Sequence, residues 1–171
     1  VFAANKLRMA PELANPTVVI VVDRIELDSQ ITATFNAAQV ENVVTADTRK
    51  ELMELLERDT RKVIITTIHR FGEAEGVLNA RDNIVLLVDE AHRTQEGDLG
   101  RKMRDAVPNA FLFGLTGTPI NTQDRNTFFA FGAEEDTSGY LSRYSFEDSI
   151  RDEATLPIHF EPRSVDLRID R

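Results

Sequence analysis

The sequence predicts an α/β protein, a mostly parallel sheet with helices on both faces, and three observations carry that prediction. Four runs, Thr17 to Val22, Val63 to Thr67, Ile84 to Asp89 and Ala110 to Thr116, are rich in β-branched and apolar residues, as strands buried on both faces are. The segments between them place apolar residues at helical spacing. Strand and helix then alternate along the chain, which calls for crossover connections within one parallel sheet.

Taken in order, Val1 to Ala10 reads as the closing turns of a helix stopped by Pro11. Asn15-Pro16 is a turn signal that introduces the run from Thr17. Asp23, with Glu26 three residues on, is placed to cap the next helix, whose inward stripe is Leu27, Ile31, Thr34, Phe35 and Ala38. A short strand is expected near Val43-Val44. Thr48 and Glu51 form a capping box ahead of Leu52, Leu55 and Leu56. After the runs from Val63 and Ile84, the residues Leu99, Met103, Ala106 and Val107 mark a helix closed by Pro108. Asn121 to Gly139 is polar, with Phe128, Phe129 and Phe131 embedded, and reads as loop plus a short helix. The three phenylalanines fit core better than a base-stacking platform. Ser145 and Asp148 suggest a cap for a brief helix through Ile150. Leu156, Ile158 and Phe160 alternate, as do Val165, Leu167 and Ile169, so two strands are expected there. Pro157 places the first of them on an edge.

Composition bounds the function. A length of 171 residues fits one domain with a substantial core. Zero cysteines exclude a disulfide framework and a thiolate zinc site, and fit a reducing cytoplasm. No apolar run approaches the length that spans a bilayer, and Lys6 and Arg8 interrupt the N-terminal apolar stretch, so neither a membrane partner nor a signal peptide is expected. The formal net charge of -9 gives no support to a generic polyanion-binding surface. Nucleic acid would have to be held locally.

The chemistry concentrates in Val85-Leu86-Leu87-Val88-Asp89-Glu90-Ala91-His92. A buried strand runs into two adjacent carboxylates at its carboxyl end, where open α/β sheets place their ligands. One carboxylate there, Asp89, can hold Mg²⁺ on a nucleotide, and its neighbour Glu90 can polarise the attacking water. A second apolar run ends in Leu115-Thr116-Gly117-Thr118-Pro119. The Gly-x-x-x-x-Gly-Lys-Ser/Thr loop that cradles phosphates does not occur, since none of the 8 glycines is followed by lysine.

Those two motifs, in that order, resemble the DEAH form of the Walker B motif and motif III of superfamily 2 helicases and translocases. The run Val18 to Leu27 followed by Gln30 looks like motif Ia of the R subunit of type I restriction enzymes. Thr66-Thr67-Ile68-His69-Arg70-Phe71 resembles that family's Thr-Thr-Ile-Gln-Lys-Phe segment, from which His69 and Arg70 depart. Arg93 and Thr94, the block Phe113 to Pro119, and the tail from Tyr144-Ser145-Phe146 through Leu156-Pro157 and Phe160 continue the likeness over nearly the whole chain. The resemblance implies a RecA-like domain of the P-loop NTPase type, 1–171 being a partial first motor domain. Its Walker A loop would lie upstream and a second RecA-like domain downstream, with residues 121–171 a more irregular extension. It implies ATP and Mg²⁺ as cofactors of the intact parent, with Asp89 as metal ligand and Asp89 and Glu90 catalytic. His92, Thr116, Gly117 and Thr118 would couple nucleotide state to neighbouring segments, and Arg24, Thr67 and Arg70 would contact DNA. The implied activity is ATP-driven translocation of double-stranded DNA, beside methyltransferase and specificity subunits in the cytoplasm, with the fragment inactive alone.

Plainer readings stand beside these. The acids can open a solvated loop or favour a helix N-terminus, the threonines can bond their own turn, and Arg24 can be solvated at a helix start. At the level of the whole chain, the alternatives are another superfamily 2 DNA or RNA helicase motor and a non-catalytic α/β interaction module.

Overall fold

Valine and isoleucine lose little by adopting extended backbone, and where their side chains meet cover on both sheet faces they form fully buried strands. The computed structural model describes residues 1–23, 25–38, 40–92, 98–119, 127–132, 139–157 and 161, without the side chains of 25–29, 128 and 129. Five strands, β1 (Thr17–Val22), β2 (Val43–Thr45), β3 (Val63–Thr67), β4 (Ile84–Asp89) and β5 (Phe111–Leu115), form one sheet in the order β2-β3-β1-β4-β5. Every pairing is parallel, as expected. Helices α1 (Phe2–Met9), α2 (Ile25–Ala37), α3 (Arg49–Glu57) and α4 (Asp98–Ala106) connect or flank these strands, and the short α5 (Thr127–Phe131) and α6 (Phe146–Arg151) follow β5.

The period-2 geometry of a strand splits the core in two. Val19 and Val21 of β1, Ile64 of β3 and Leu86 of β4 pack with Leu52 and Leu56 of α3, Phe71, and Met103 of α4. Val18, Ile20 and Val22 of β1, with Ile65 and Val85, pack on the other side with Ala4 of α1 and Phe35 of α2. The edge strand β5 is different: Phe111 and Leu115 are exposed.

Local signals set the helix ends. The Thr48 side chain accepts from the Glu51 N–H while the Glu51 carboxylate accepts from the Thr48 N–H, completing the expected capping box of α3. Ser145 and Asp148 cap α6 in the same way. α1 ends where Pro11 opens a 3-10 turn. α2 is described from Ile25; Arg24, between it and the expected cap Asp23, lies outside the described residues.

Some expectations need correction. In α2, Phe35 and Ile31 face the core, but Thr34 and Ala38 are exposed, and the Thr34 hydroxyl donates to the Gln30 carbonyl instead. Leu156 and Pro157 are exposed and in no strand, since alternation builds a strand only beside a partner edge; Ile158, Phe160, Val165, Leu167 and Ile169 lie outside the described residues. Phe131 packs on the core as expected, while the side chains of Phe128 and Phe129 lie outside the description.

The amino edge of the sheet is closed by a polar network. Arg81, just before β4, donates to Thr17 Oγ1 (2.7 Å), Asn83 Oδ1 (3.2 Å) and Asn79 Oδ1 (3.3 Å), and pairs with Asp59 (2.6 Å). Thr17 in turn donates to the Thr60 carbonyl. Arg61 grips Asp59 and donates to the carbonyls of Ala14 (2.7 Å) and Asn15 (3.0 Å), two residues held at positive φ. The Arg61 hydrogen bond holds the Asp59 carboxyl below its ordinary range, and burial pushes the Arg81 guanidinium down.

Candidate active site

Register decides which residues meet at the opposite edge. Val22 lies beside Thr67, Val21 beside Val88, and Asp89 beside Leu115. The last residues of β3, β1, β4 and β5 therefore form one row, and Asp23, Thr67, Asp89 and Thr116 share the carboxyl edge. In a doubly wound sheet that edge is the ligand edge, at the point where successive crossovers diverge. Here the chain leaves β1 for β2 on one side, and β3 passes back over β1 to β4 on the other.

The acids sit at this divergence. Asp89 Oδ1 accepts from the Glu90 N–H at 3.0 Å. Glu90 has φ +47, in the left-handed region, which costs a residue with a Cβ about 1–2 kcal/mol. The next N–H, of the buried Ala91, donates to the Leu115 carbonyl at 3.1 Å and ties the turn to β5.

His92 closes the constellation. Its Nδ1 lies 2.8 Å from Thr116 Oγ1, 3.4 Å from Thr118 Oγ1 and 3.2 Å from Glu90 Oε2. Thr116 Oγ1 also accepts from the Thr118 N–H at 3.1 Å. The segments from Asp89 to His92 and from Thr116 to Thr118, which the sequence separates, are thus joined through one imidazole. Gly117 has open space where a Cβ would stand. Gly114 has none: a Cβ there would lie 2.8 Å from Ala91 Cβ and 2.8 Å from Phe131 Cγ. The Phe131 ring, with the Arg104 guanidinium stacked over it at 5.5 Å, is thereby wedged against β5, just before Thr116. Nothing local in the sequence marks Phe131 as the partner of Gly114.

Of the expected DNA-contact residues Arg24, Thr67 and Arg70, the structure describes two. Thr67 is on the row but only 1% exposed, so its side chain closes the end of β3 and does not face solvent. Arg70 is partly buried in the 3-10 turn Ile68–Glu73. Arg24, Arg93 and Thr94 lie outside the described residues.

Magnesium on a nucleotide asks the protein for only one or two carboxylates, the rest of its shell being phosphate and water. Among the described residues no group of three His, Cys, Asp or Glu forms a self-sufficient metal site, and the Asp89–Glu90 pair at a strand end fits the smaller demand. Phosphates fit less well. A cavity of ≈ 270 Å³ beside Thr116 and Pro119 is lined by Phe113, Leu115, Phe131 and Tyr140, with no cation among its described lining residues to hold them.

The whole chain, residues 1–171, matches the family model described as SWI2/SNF2 ATPase. It is 38% identical over 181 residues to the type I restriction enzyme HindI endonuclease subunit of Haemophilus influenzae, covering 94% of this chain and 17% of that protein. A protein of Methanocaldococcus jannaschii that carries the same subunit designation provisionally is 36% identical over 173 residues, covering 98% of this chain and 16% of the relative. The type I restriction enzyme SsaAORF53P endonuclease subunit of Staphylococcus saprophyticus is 34% identical over 146 residues, covering 79% of this chain and 15% of the relative. The chain therefore spans about one sixth of the length of the curated relatives it matches most fully.

Proposed function

The chain belongs to the SWI2/SNF2 ATPase family, with an α/β RecA-like sheet and relatives that are type I restriction enzyme endonuclease subunits, and from that premise we propose that it is the greater part of a first motor domain of such a subunit, one that moves along double-stranded DNA by hydrolysing ATP. The observation that carries this reading is the joining of Asp89-Glu90-Ala91-His92 to Thr116-Gly117-Thr118 through His92 Nδ1. A solvated loop of acids gives no reason for a histidine to bridge two strand ends.

In this reading Asp89 holds Mg²⁺ and Glu90 orients and polarises the attacking water. The bound metal supplies neutralisation of charge on the phosphates. His92, Thr116 and Thr118 report changes at the acids to β5, and Gly117 leaves the turn between the two threonines unhindered. Arg24 and Arg70 are the candidate phosphate-backbone contacts; such contacts position a duplex without reading its sequence. Thr67 stands at the end of β3 on the same sheet edge as Asp89. Methyltransferase and specificity subunits are the proposed partners, and the cytoplasm the proposed compartment; among the described residues no helix is long and apolar enough to cross a membrane.

The 171 residues contain no Gly-x-x-x-x-Gly-Lys loop, so the phosphates would be cradled by residues outside this sequence. An arginine finger from a second domain would add about 10³ to 10⁵ in rate. The chain alone should accordingly hydrolyse ATP negligibly, and a longer polypeptide carrying both features should hydrolyse it in a manner stimulated by duplex DNA. The test compares the two in one assay with contaminating ATPase excluded. Full turnover by the 171 residues alone, or no duplex stimulation of the longer protein, would overturn the proposal.

A further inference from the structure

Resting on the reading of Glu90 as the base, we propose that His92 is also a positioning residue: as the Nδ1–H tautomer it holds the Glu90 carboxylate against the Thr116 turn. A carboxylate only accepts hydrogen bonds, and Glu90 Oε2 lies 3.2 Å from Nδ1, so we assign the proton to that nitrogen. Thr116 Oγ1, at 2.8 Å, then shares the same proton as a second acceptor, a role it already plays toward the Thr118 N–H. Nε2 is left bare.

Backbone geometry makes the hold possible. Residues two apart on a helix do not face each other, and the left-handed turn at Glu90 is what folds its side chain back toward His92. The two partners differ in freedom: the Glu90 side chain is 43% exposed and the His92 side chain 18%. Glu90 is therefore the member that swings away, and His92 the fixed post. An oxygen that accepts from Nδ1–H has one direction fewer in which to hold a water. Because one imidazole touches both Glu90 and Thr116, a shift of the β5 end also changes the hold on the base. The hold on Glu90 thus depends on the position of the β5 end.

Nitrogen-15 spectra of the three imidazoles, His69, His92 and His159, read this directly in the 171-residue chain at a pH where they are neutral. Wild type should show His92 protonated at Nδ1 and bare at Nε2. Glu90→Ala should move the proton to Nε2, whereas Glu90→Gln, which keeps an acceptor in place, should leave it on Nδ1. Thr116→Val should also leave it on Nδ1, because Glu90 remains. A bare Nδ1 in wild type, or a Glu90→Ala spectrum identical to wild type, would overturn the proposal. None of these spectra depends on nucleotide. A bare Nδ1 would therefore remove the hold while leaving Glu90 as base, and a Glu90 variant with normal turnover would remove the base while leaving the spectra intact.

Discussion

The two edges of one sheet use polar residues in opposite ways. At the amino edge, Asp59 is held by Arg61 and Arg81, and Arg81 fills the acceptors of Thr17, Asn79 and Asn83. At the carboxyl edge, Asp89 and Glu90 have no lysine or arginine partner among the described residues; Asp89 takes a backbone N–H and Glu90 a histidine. The first arrangement satisfies every participant and anchors the strand starts. The second leaves two adjacent carboxylates with acceptor capacity to spare, one of them, Glu90, at positive φ. Strain and unspent acceptors at one place are expected of a site that works on a ligand. One edge holds the fold, and the other is where we propose that it is put to use.

Substitutions can break that contrast, the largest effect first. Gly114→Val should destabilise the chain by about 3 kcal/mol, toward the upper end of overpacking costs, because the new side chain meets Ala91 and the Phe131 ring. Urea unfolding measures it, and an unchanged midpoint would mean that Phe131 is not wedged on β5. Arg81→Met should cost about 2 kcal/mol by stranding part-buried acceptors at Thr17, Asn79 and Asn83. A loss below about 0.5 kcal/mol, the range of ordinary surface changes, would show that the amino edge is decoration. Glu90→Gln should fall inside that same range of about 0.5 kcal/mol, since Glu90 is half-exposed and its amide replacement still offers an acceptor to His92. A large loss of stability there would make Glu90 structural and erase the distinction between the edges.

The parts legible in the sequence were those whose cause is local. β1, β3 and β4 announce themselves because burial on both faces leaves no polar position to confuse the pattern, and Thr48 with Glu51 cap α3 through contacts three residues apart. The common edge of Asp89 and Thr116 follows from strand direction alone. What was not legible depends on distant partners. Arg81 reads as an ordinary loop arginine until Thr17, 64 residues away, appears beside it. Thr34 and Ala38 match the helical stripe but are exposed, while Phe35 between them is buried against the sheet. Thr67, expected as a contact residue, is 1% exposed at the end of a central strand that has neighbours on both sides. The Glu90–His92 contact needs a left-handed turn that no residue type at position 90 signals.

The most direct measurement sets Asp89→Ala beside Glu90→Gln in the longest natural polypeptide that contains this chain, with Mg²⁺-nucleotide binding and hydrolysis read on the same preparations. Glu90→Gln should keep nucleotide affinity and lose turnover by about 10²- to 10⁴-fold, the usual contribution of a positioned acid–base group. Asp89→Ala should weaken the Mg²⁺-dependent part of binding itself. Wild-type affinity and wild-type turnover in both variants would contradict the assignment of the carboxyl edge as the site of hydrolysis.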